Sequence, residues 1–513
     1  FVMKKSIKQS QRSFAASSAL TVAVFCAMQT GCNVGPRYLP PTMTAPAAFK
    51  ESSAQFKEAD GWTAAQPQDA ALRGKWWEIF NEPELNALED QLNIDNQNIR
   101  QAFENFMQAR AAVREARSLF FPTVSVGGSY TRSQTSSNVG SVSSAGVSSG
   151  QQTQVFSLPA DVSWEPDLWG RVRNTVRASQ YAAQLSAADL ENERLTEQAS
   201  LAEFFFEIRG QDALEKLLGD TVAADRKSLE IAKTRYNTGV DDQISVVEAQ
   251  TTLASAQSAA INLRIARAQY EHAIATLIGK PASTFSVPVE AKTSVPPSIP
   301  FGLPSQLLER RPDVAAAERN MAAANAQIGV AYAAFYPALT LSATSGVESS
   351  VVKNLLDWPS RFWSVGPSIS ENVYDGGLRR ATVNQYIATY NANVAAYRQS
   401  VLTAFQQVED LLAAVHILSQ QILRQQEAVE SAQTFLRLEL ERYDSGIDPY
   451  IDVVTAQTTL IANQQSLANL KVQEMTTSVQ LIEALGGGWD RSQLPTPAQI
   501  MQKPLKSETA IQH

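Results

Sequence analysis

Few residues in this 513-residue chain have the types and spacing that catalysis or metal binding requires. The three histidines, His272, His416 and His513, lie far apart, and none has a cysteine or second histidine at metal-ligand spacing. Dinucleotide-binding, P-loop and zinc-protease motifs are absent. We therefore expect no enzyme activity and no metal site, and we interpret His272 and His416 as residues of helix surfaces.

Composition and charge narrow the function classes further. Hydrophobic residues make up 44% of the chain and charged residues 18%, so there is enough apolar side chain to bury a core. The 43 basic and 51 acidic residues give a net charge of -8. This acidic balance argues against a nucleic-acid partner, because such partners select a basic face.

The amino terminus has the pattern of a bacterial lipoprotein signal over residues 1–31. An apolar stretch over 14–30 follows a basic start that contains Lys4, Lys5, Lys8 and Arg12. Gly31 precedes Cys32, as in a lipobox, although Gln29 stands where leucine is usual. We expect cleavage before Cys32 and a covalent lipid on its sulfur, with no other cofactor, followed by an extended anchored segment over 32–68. Ordinary cleavage that leaves a free thiol is the alternative.

The chain contains two copies of one unit. Arg235-Tyr236-Asn237-Thr238-Gly239 returns as Arg442-Tyr443-Asp444-Ser445-Gly446, and at the same offset Ala249–Leu253 returns as Ala456–Leu460. The period is too long for a solenoid, so it indicates a duplicated domain-sized unit. We assign the repeats to 69–290 and 291–489 and interpret 490–513 as a polar tail, in which Gln493–His513 has no visible role.

Each repeat has the same predicted order of elements. A helix, over 312–335 in the second repeat, ends at an aromatic-proline pair. Alternating apolar residues then predict β-hairpins over 123–164 and 338–374, most clearly in the alternation that runs from Phe156 to Trp164. Long helix pairs follow over 171–278 and 376–485, since the runs from 171 to 237 and from 379 to 444 contain no proline.

The long helices carry a coiled-coil pattern. Each run of about 66 residues reaches roughly 100 Å at 1.5 Å per residue. In the second repeat, twelve apolar positions alternate by four and three, which is typical of a coiled-coil seam: Val383, Ile387, Tyr390, Val394, Tyr397, Val401, Ala404, Val408, Leu411, Val415, Leu418 and Ile422. A soluble helical bundle would give the same pattern, so the strands must decide between the two.

Four strands per chain are too few to close a barrel with a bore. A membrane excludes open sheet edges, because each unpaired backbone group costs several kcal/mol there. Closure by threefold symmetry solves the problem, since three chains supply twelve strands. We therefore predict an α+β membrane protein: a trimeric twelve-stranded β-barrel continuous with a long α-helical coiled-coil tube.

Five segments, in order along the chain, carry a family resemblance: Cys32–Tyr38, Trp76–Leu85, Trp164–Arg171, Arg310–Val314 and Ala484–Trp489. In these segments the chain resembles the TolC-like outer-membrane efflux proteins of Gram-negative bacteria, in their lipoprotein (NodT- and OprM-like) branch. The resemblance implies a homotrimeric exit duct in the outer membrane with its helical tube in the periplasm. It also implies docking on a periplasmic adaptor protein and an inner-membrane efflux transporter.

The two repeated Arg-Tyr-x-x-Gly turns are the candidate working end. Gly239 and Gly446 fit the position just past a helix end, where glycine adopts the left-handed conformation at least cost. The resemblance implies that these turns are the tips facing the pump and that Val240 and Ile447 contact the adaptor.

The same resemblance implies a closed periplasmic aperture near the second tip. Asp452 would line it, and three such carboxylates around one axis would repel anions and attract cations. Tyr443 and Arg442 would make closed-state contacts. The family's second acid is replaced by Thr455, which departs from a double acidic ring.

Other assignments remain open at this point. One alternative is a duct of the same architecture that serves type I protein secretion, a function that the lipoprotein-type resemblance disfavours. A lipid-anchored periplasmic adaptor is a different class, as is a trimeric surface adhesin. Neither has a duplicated unit of hairpin and returning helices, so the duplicated strands argue against both.

Overall fold

The computed structural model describes residues 33–41, 46, 49–50, 74–136, 138, 141–143, 146–148, 152–292, 295–297, 299 and 309–502. The expected signal peptide over 1–31, the candidate lipid site Cys32 and the last residues of the expected tail lie outside these ranges.

The elements occur as two successive sets. The first has helices α1 (Pro83–Asp95) and α2 (Gln97–Ser118), strands β1 (Thr123–Val126), β2 (Ser129–Gln134), β3 (Ser141–Ser143), β4 (Gly146–Ser148) and β5 (Gln152–Trp164), then α3 (Arg171–Asn237) and α4 (Gln243–Leu277). The second has α5 (Pro312–Ala333), β6 (Ala338–Ser349), β7 (Arg361–Ser370), α6 (Leu378–Asp444), α7 (Tyr450–Ala484) and α8 (Pro497–Met501). The predicted two-repeat organisation, helix-rich with a sheet, is confirmed.

The long helices match between the repeats: α3 and α6 each have 67 residues, and α4 and α7 each have 35. Near the sheet, the helices pack side by side in the order α2, α3, α5, α6. Farther from the sheet the order is α4, α3, α7, α6. Helix α4 thus lies in line with α2, and α7 in line with α5.

Glycines allow these in-line helices to meet end to end. Gly279 follows α4 and Gly486 follows α7, and both have positive φ. A Cβ on Gly279 would lie 2.6 Å from the Asp95 carbonyl oxygen, and one on Gly486 would lie 2.1 Å from the Arg310 carbonyl oxygen. Only glycine permits such close backbone approach at this φ. Glycine therefore allows α4 to end against the start of α2, and α7 to end against the start of α5.

The predicted seam of α6 is buried or half-buried along its whole length. The buried face is wider than that seam, since Leu412 and His416 also lie on it. The prediction of a surface position for His416 is wrong: it is buried, and its Nε2 lies 2.9 Å from Gln420 Nε2. His272, by contrast, is exposed.

The sheet has one apolar and one polar face. Strands β1 and β2 both pair with β5, and β5, β6 and β7 follow in antiparallel order. Paired residues share a face, and successive residues alternate between faces. The apolar face carries Val124, Val126, Leu158, Ala160, Val162, Ala343, Val347, Trp363, Val365 and Ile369. The polar face carries Ser125, Asp161, Ser163, Ser342, Thr344, Ser364 and Ser368.

A proline interrupts the middle of this sheet. Pro159 in β5 has no N–H to donate, and it lies between Gly346 of β6 and Gly127, which stands in the gap between β1 and β2. Gly127 donates its N–H to the Pro159 carbonyl at 3.0 Å, which keeps one register across the gap between β1 and β2. A Cβ on Gly346 would lie 2.4 Å from the Leu158 carbonyl oxygen and 2.9 Å from Pro159 Cα.

The described part of the segment 490–513, interpreted from sequence as a polar tail, packs against α2 and α3. Ile500 in α8 is buried between Val113 of α2 and Ala183 of α3. Arg110 donates to the carbonyl oxygens of Ile500 at 3.3 Å and Gln502 at 2.8 Å. The polar composition of the segment conceals this one buried apolar anchor.

The contact at Gly346 gives a direct test of the sheet. Gly346→Ala should destabilise the protein by about 1–3 kcal/mol, because its new methyl group meets backbone atoms that cannot turn away. Gly366→Ala is the matched control on β7, since a Cβ there meets nothing within 4 Å. Folded yield and the thermal unfolding midpoint measure both variants. Equal midpoints for the two variants would contradict the packing described here.

Candidate functional site

The two repeated turns form matching helix tips. Gly239 ends α3 with φ +73° and Gly446 ends α6 with φ +71°, the left-handed conformation predicted from sequence. At the first tip the Val240 N–H donates to the Arg235 carbonyl at 2.9 Å, and the second tip repeats this bond at 3.0 Å. Both turns are therefore Schellman motifs, which satisfy carbonyl groups that the helix end leaves free.

An apolar side chain follows each glycine and points into solvent. Val240 and Ile447 are each 66% exposed. At the first tip Asp242 caps α4, because its carboxylate accepts the Ser245 N–H at 3.2 Å. The tips are thus rigidly built turns that present apolar groups, an arrangement suited to contact with another surface.

Tyr443 joins the two tips within one chain. It is buried against Tyr450 and Val453, and its hydroxyl donates to Asp241 Oδ2 of the first tip at 2.9 Å. Arg235 lies over the Tyr443 ring, 4.4 Å from its centroid, and donates to the Tyr443 carbonyl at 3.1 Å. We call the set Arg235, Asp241 and Tyr443 the tip contact.

Electrostatics favour the charged form of Asp241. Its partial burial opposes ionisation, but donation by the Asp242 N–H, the Ser245 hydroxyl and the Tyr443 hydroxyl, together with the Arg235 charge, lowers the pKa of Asp241. Burial and the same hydrogen bond raise the pKa of Tyr443. The hydroxyl therefore remains the donor and the carboxylate the acceptor at physiological pH.

Arg442 contacts the turn of the second tip, not the first tip. Its guanidinium forms an ion pair with Asp448, and donation from Arg442 lowers the pKa of that carboxyl group. Carboxylate oxygens of Glu439, Asp448 and Asp452 lie within 4.8 Å of one another. Asp452 also stands in the first turn of α7, where the helix dipole stabilises negative charge.

Sequence reasoning found some members of this region and missed others. Tyr443, Arg442 and Asp452 lie at the second tip, but Arg442 and Tyr443 point to different partners. Arg235 and Asp241 were not predicted to contact Tyr443. Nothing in the sequence signals these contacts, since Arg235 and Asp241 lie 208 and 202 residues from Tyr443.

The residue that follows Cys32 is held where strand β5 leads into α3. Asn33 accepts a hydrogen bond from Asn174 Nδ2 at 2.9 Å, and a Cβ on Gly170 would meet Asn33 Oδ1 at 2.5 Å. The next residue, Val34, donates its N–H to the Trp169 carbonyl at 3.2 Å. Asn33 and Val34 therefore lie beside the end of the sheet that is next to the helices.

Comparison with known proteins gives one consistent result. The family model described as "Outer membrane efflux protein" matches residues 88–280 and 303–487. The probable efflux pump outer membrane protein TtgC of Pseudomonas putida KT2440 is 31% identical over 475 residues, which cover 92% of this chain and 96% of that protein. The solvent efflux pump outer membrane protein SrpC of Pseudomonas putida is 33% identical over 473 residues, covering 91% and 97%.

A solved structure gives the same result for the fold. The outer-membrane channel OprN superimposes with a TM-score of 0.79 at 27% identity, and the match covers 89% of this chain and 100% of that one.

The lowered pKa of Asp241 predicts how the tip contact depends on pH. Its carboxylate contributes fully above the unfolded value of about 3.9, and the contribution is lost as pH falls through the lower folded-state pKa. The contribution of Asp241 to protection of the tip amides, measured by hydrogen exchange as the difference between the native protein and Asp241→Asn, should therefore be unchanged from pH 7.5 to 5 and be lost only below about pH 4. Tyr443→Phe should weaken protection at every pH. A transition between pH 5 and 7 would contradict this assignment.

Proposed function

The chain belongs to the outer membrane efflux protein family, and from that premise we propose that it is the exit duct of a tripartite efflux pump. The resemblance found in the sequence is confirmed at the level of the family, as are efflux and the outer-membrane location. The finer proposal is a homotrimer that receives small molecules from an inner-membrane transporter through a periplasmic adaptor. The observation that carries this proposal is a sheet of four strand positions whose two outer strands each lack a partner on one side, among the described residues.

The edges of the sheet support threefold closure. Strand β7 pairs only with β6, and β1 and β2 pair only with β5, among the residues that the structure describes. Their free backbone groups need partners in a bilayer, since water is absent there. Pairing β7 of one protomer with β1 and β2 of the next satisfies both edges and closes a twelve-stranded barrel.

The two outer helices of the layer, α4 and α6, expose apolar side chains that a neighbouring protomer would cover. Helix α4 exposes Ile261 and Ile265, and α6 exposes Leu402, Ile417 and Leu423. An 18-residue stretch of α6 has a mean hydropathy of 1.3, yet only 33% of it is buried. Since α4 and α6 are the two outer members of the helix layer, a neighbouring protomer on each side would cover these residues.

The two faces of the sheet suit a membrane channel. The apolar face described above would contact lipid, and the polar face would line a water-filled lumen. On the polar face, Thr344 donates its hydroxyl to Asp161 Oδ1 at 2.7 Å, a polar contact that favours the lumen side. Passage along such a lumen needs no catalytic residues.

The tips would control entry to the duct. The tip contact joins the α3–α4 helix pair of a protomer to its α6–α7 helix pair. It would favour the closed arrangement, with Asp452 of each protomer at the aperture. Opening requires a partner that binds the dilated arrangement more tightly than the closed one. We assign that role to the adaptor, which would contact Val240 and Ile447.

The amino-terminal anchor belongs to the same proposal. A lipid on Cys32 would leave the chain next to Asn33, beside the boundary between strands and helices. This boundary is where the barrel would meet the inner leaflet, so the acyl chains would reach the membrane that holds the barrel. Two or more chains, at about 0.8 kcal/mol per buried CH₂, give stable anchoring.

Three alternatives to the efflux duct remain to be weighed: a periplasmic adaptor, a surface adhesin and a duct for type I protein secretion. Membership of the family removes the adaptor and the adhesin as descriptions of this chain. Relatives named for solvent and other efflux pumps favour small-molecule cargo over type I protein secretion.

The tips provide the functional test. In an efflux-deficient strain that carries the cognate pump and adaptor, the Val240→Asp/Ile447→Asp double variant should fail to restore solvent tolerance, because charge replaces the apolar contact. Ile94→Asp is the matched control, since Ile94 is also exposed, at 77%, but lies at the end of α1, away from the tips. Growth with solvent is the readout, with trimer content on unboiled gels checked for each variant. Full tolerance with the double variant would contradict adaptor docking at the tips.

The lipid is tested with the chain's two cysteines. Labelled palmitate should enter the native protein and Cys26→Ala but not Cys32→Ala, because acylation is proposed at Cys32 alone. All three should sediment with the outer membrane and form the same trimer. Label on Cys32→Ala would overturn the assignment of the lipidation site, whereas a labelled monomer in the inner membrane would overturn the duct.

A further inference from the structure

The connection between β6 and β7 is a compact and unusually apolar loop. Residues 350–360, here called the rim loop, contain two short 3₁₀ turns, Val352–Asn354 and Trp358–Ser360. Ser360 Oγ donates to the Asn354 carbonyl at 2.6 Å and ties the turns together. The loop nevertheless exposes Val351, Val352, Leu356 and Trp358, the last two by 78% and 74%. An ordered loop that leaves this much apolar surface uncovered indicates an interaction surface.

Register places the base of the rim loop on the apolar face of the sheet. Arg361 pairs with Val347, and Val347 pairs with Leu158, so all three share that face. The Arg361 guanidinium lies over the Trp358 ring, 4.0 Å from its centroid. Trp358 therefore also lies on the apolar side, at the end of the sheet opposite to the helices.

The same region carries basic groups. Lys353 and Arg361 flank Trp358, and Arg132 lies on the apolar face near the end of β2, where it donates to Gln152. Among the described residues neither Lys353 nor Arg361 forms an ion pair. The rim loop contains one acid, Asp357, so residues 350–361 have a net positive charge.

We propose that the rim loop binds the phosphorylated headgroup of an outer-leaflet lipid. Arg361 and Lys353 would donate to phosphate oxygens, for which guanidinium and ammonium groups are well suited. Trp358 and Leu356 would enter the boundary between headgroups and acyl chains, where amphipathic aromatic rings are favoured. This inference rests on the proposed barrel, because the barrel is what holds this end of the sheet at the outer leaflet.

Native mass spectrometry of the full-length protein in its native oligomeric state tests the inference. The probes are bisphosphorylated lipid A and monophosphorylated lipid A, titrated separately. We expect tighter binding of the bisphosphorylated form. Lys353→Gln/Arg361→Gln should weaken it about tenfold or more, as expected for the loss of charge-assisted hydrogen bonds. The matched control is Arg424→Gln/Arg437→Gln, which removes two exposed arginines from α6, remote from the sheet.

The outcomes separate this inference from the function of the duct. Weakened lipid binding with unchanged solvent tolerance supports it, and partial recovery with Arg361→Lys supports a charge contact rather than a folding defect. Equal binding by the wild type and the glutamine double variant, or equal binding of both lipids, would overturn it. Absent lipid binding by a fully active wild type would also overturn it and leave the duct intact, pointing to a protein partner for the loop.

Discussion

The hydrogen-bonding requirement of the sheet edges is the constraint on which the rest of the structure depends. One chain supplies four strand positions, and among the described residues both outer strands lack a partner on one side. In a bilayer those groups cannot turn to water. We propose that closure comes from other copies of the chain, which would also set the arrangement of the helices that continue from the strands.

The helical half follows from that constraint. Helices α3 and α6 each run unbroken from the end of a strand to a tip, whereas the neighbouring lines are each built from two helices that meet at Gly279 or Gly486. The strands thereby fix the spacing of helices far from the membrane. The tip contact joins the α3–α4 and α6–α7 helix pairs at the end farthest from the sheet. In the proposed duct, a small change there would alter the width of the entrance.

Much of this architecture was predictable from sequence because it depends on local chemistry and on duplication. Alternation of Leu158, Ala160 and Val162 predicts a two-faced strand, and a glycine after each long helix predicts a left-handed turn. Partners distant in sequence were not predictable. The Tyr443–Asp241 hydrogen bond, the glycines beside Pro159 and the burial of Ile500 each join residues whose separate patterns look ordinary. The surface position predicted for His416 is wrong because α6 packs against two helices, so its buried face is wider than the single apolar seam read from the sequence.

Electron cryomicroscopy of the full-length protein in lipid nanodiscs tests the central claim, closure by neighbouring chains, most directly. We expect a threefold particle with twelve strands, in which β7 of each protomer pairs with β1 and β2 of the next and α6 contacts the neighbouring α4. A single-chain particle, or an oligomer whose outer strands remain unpaired within the bilayer, would contradict it.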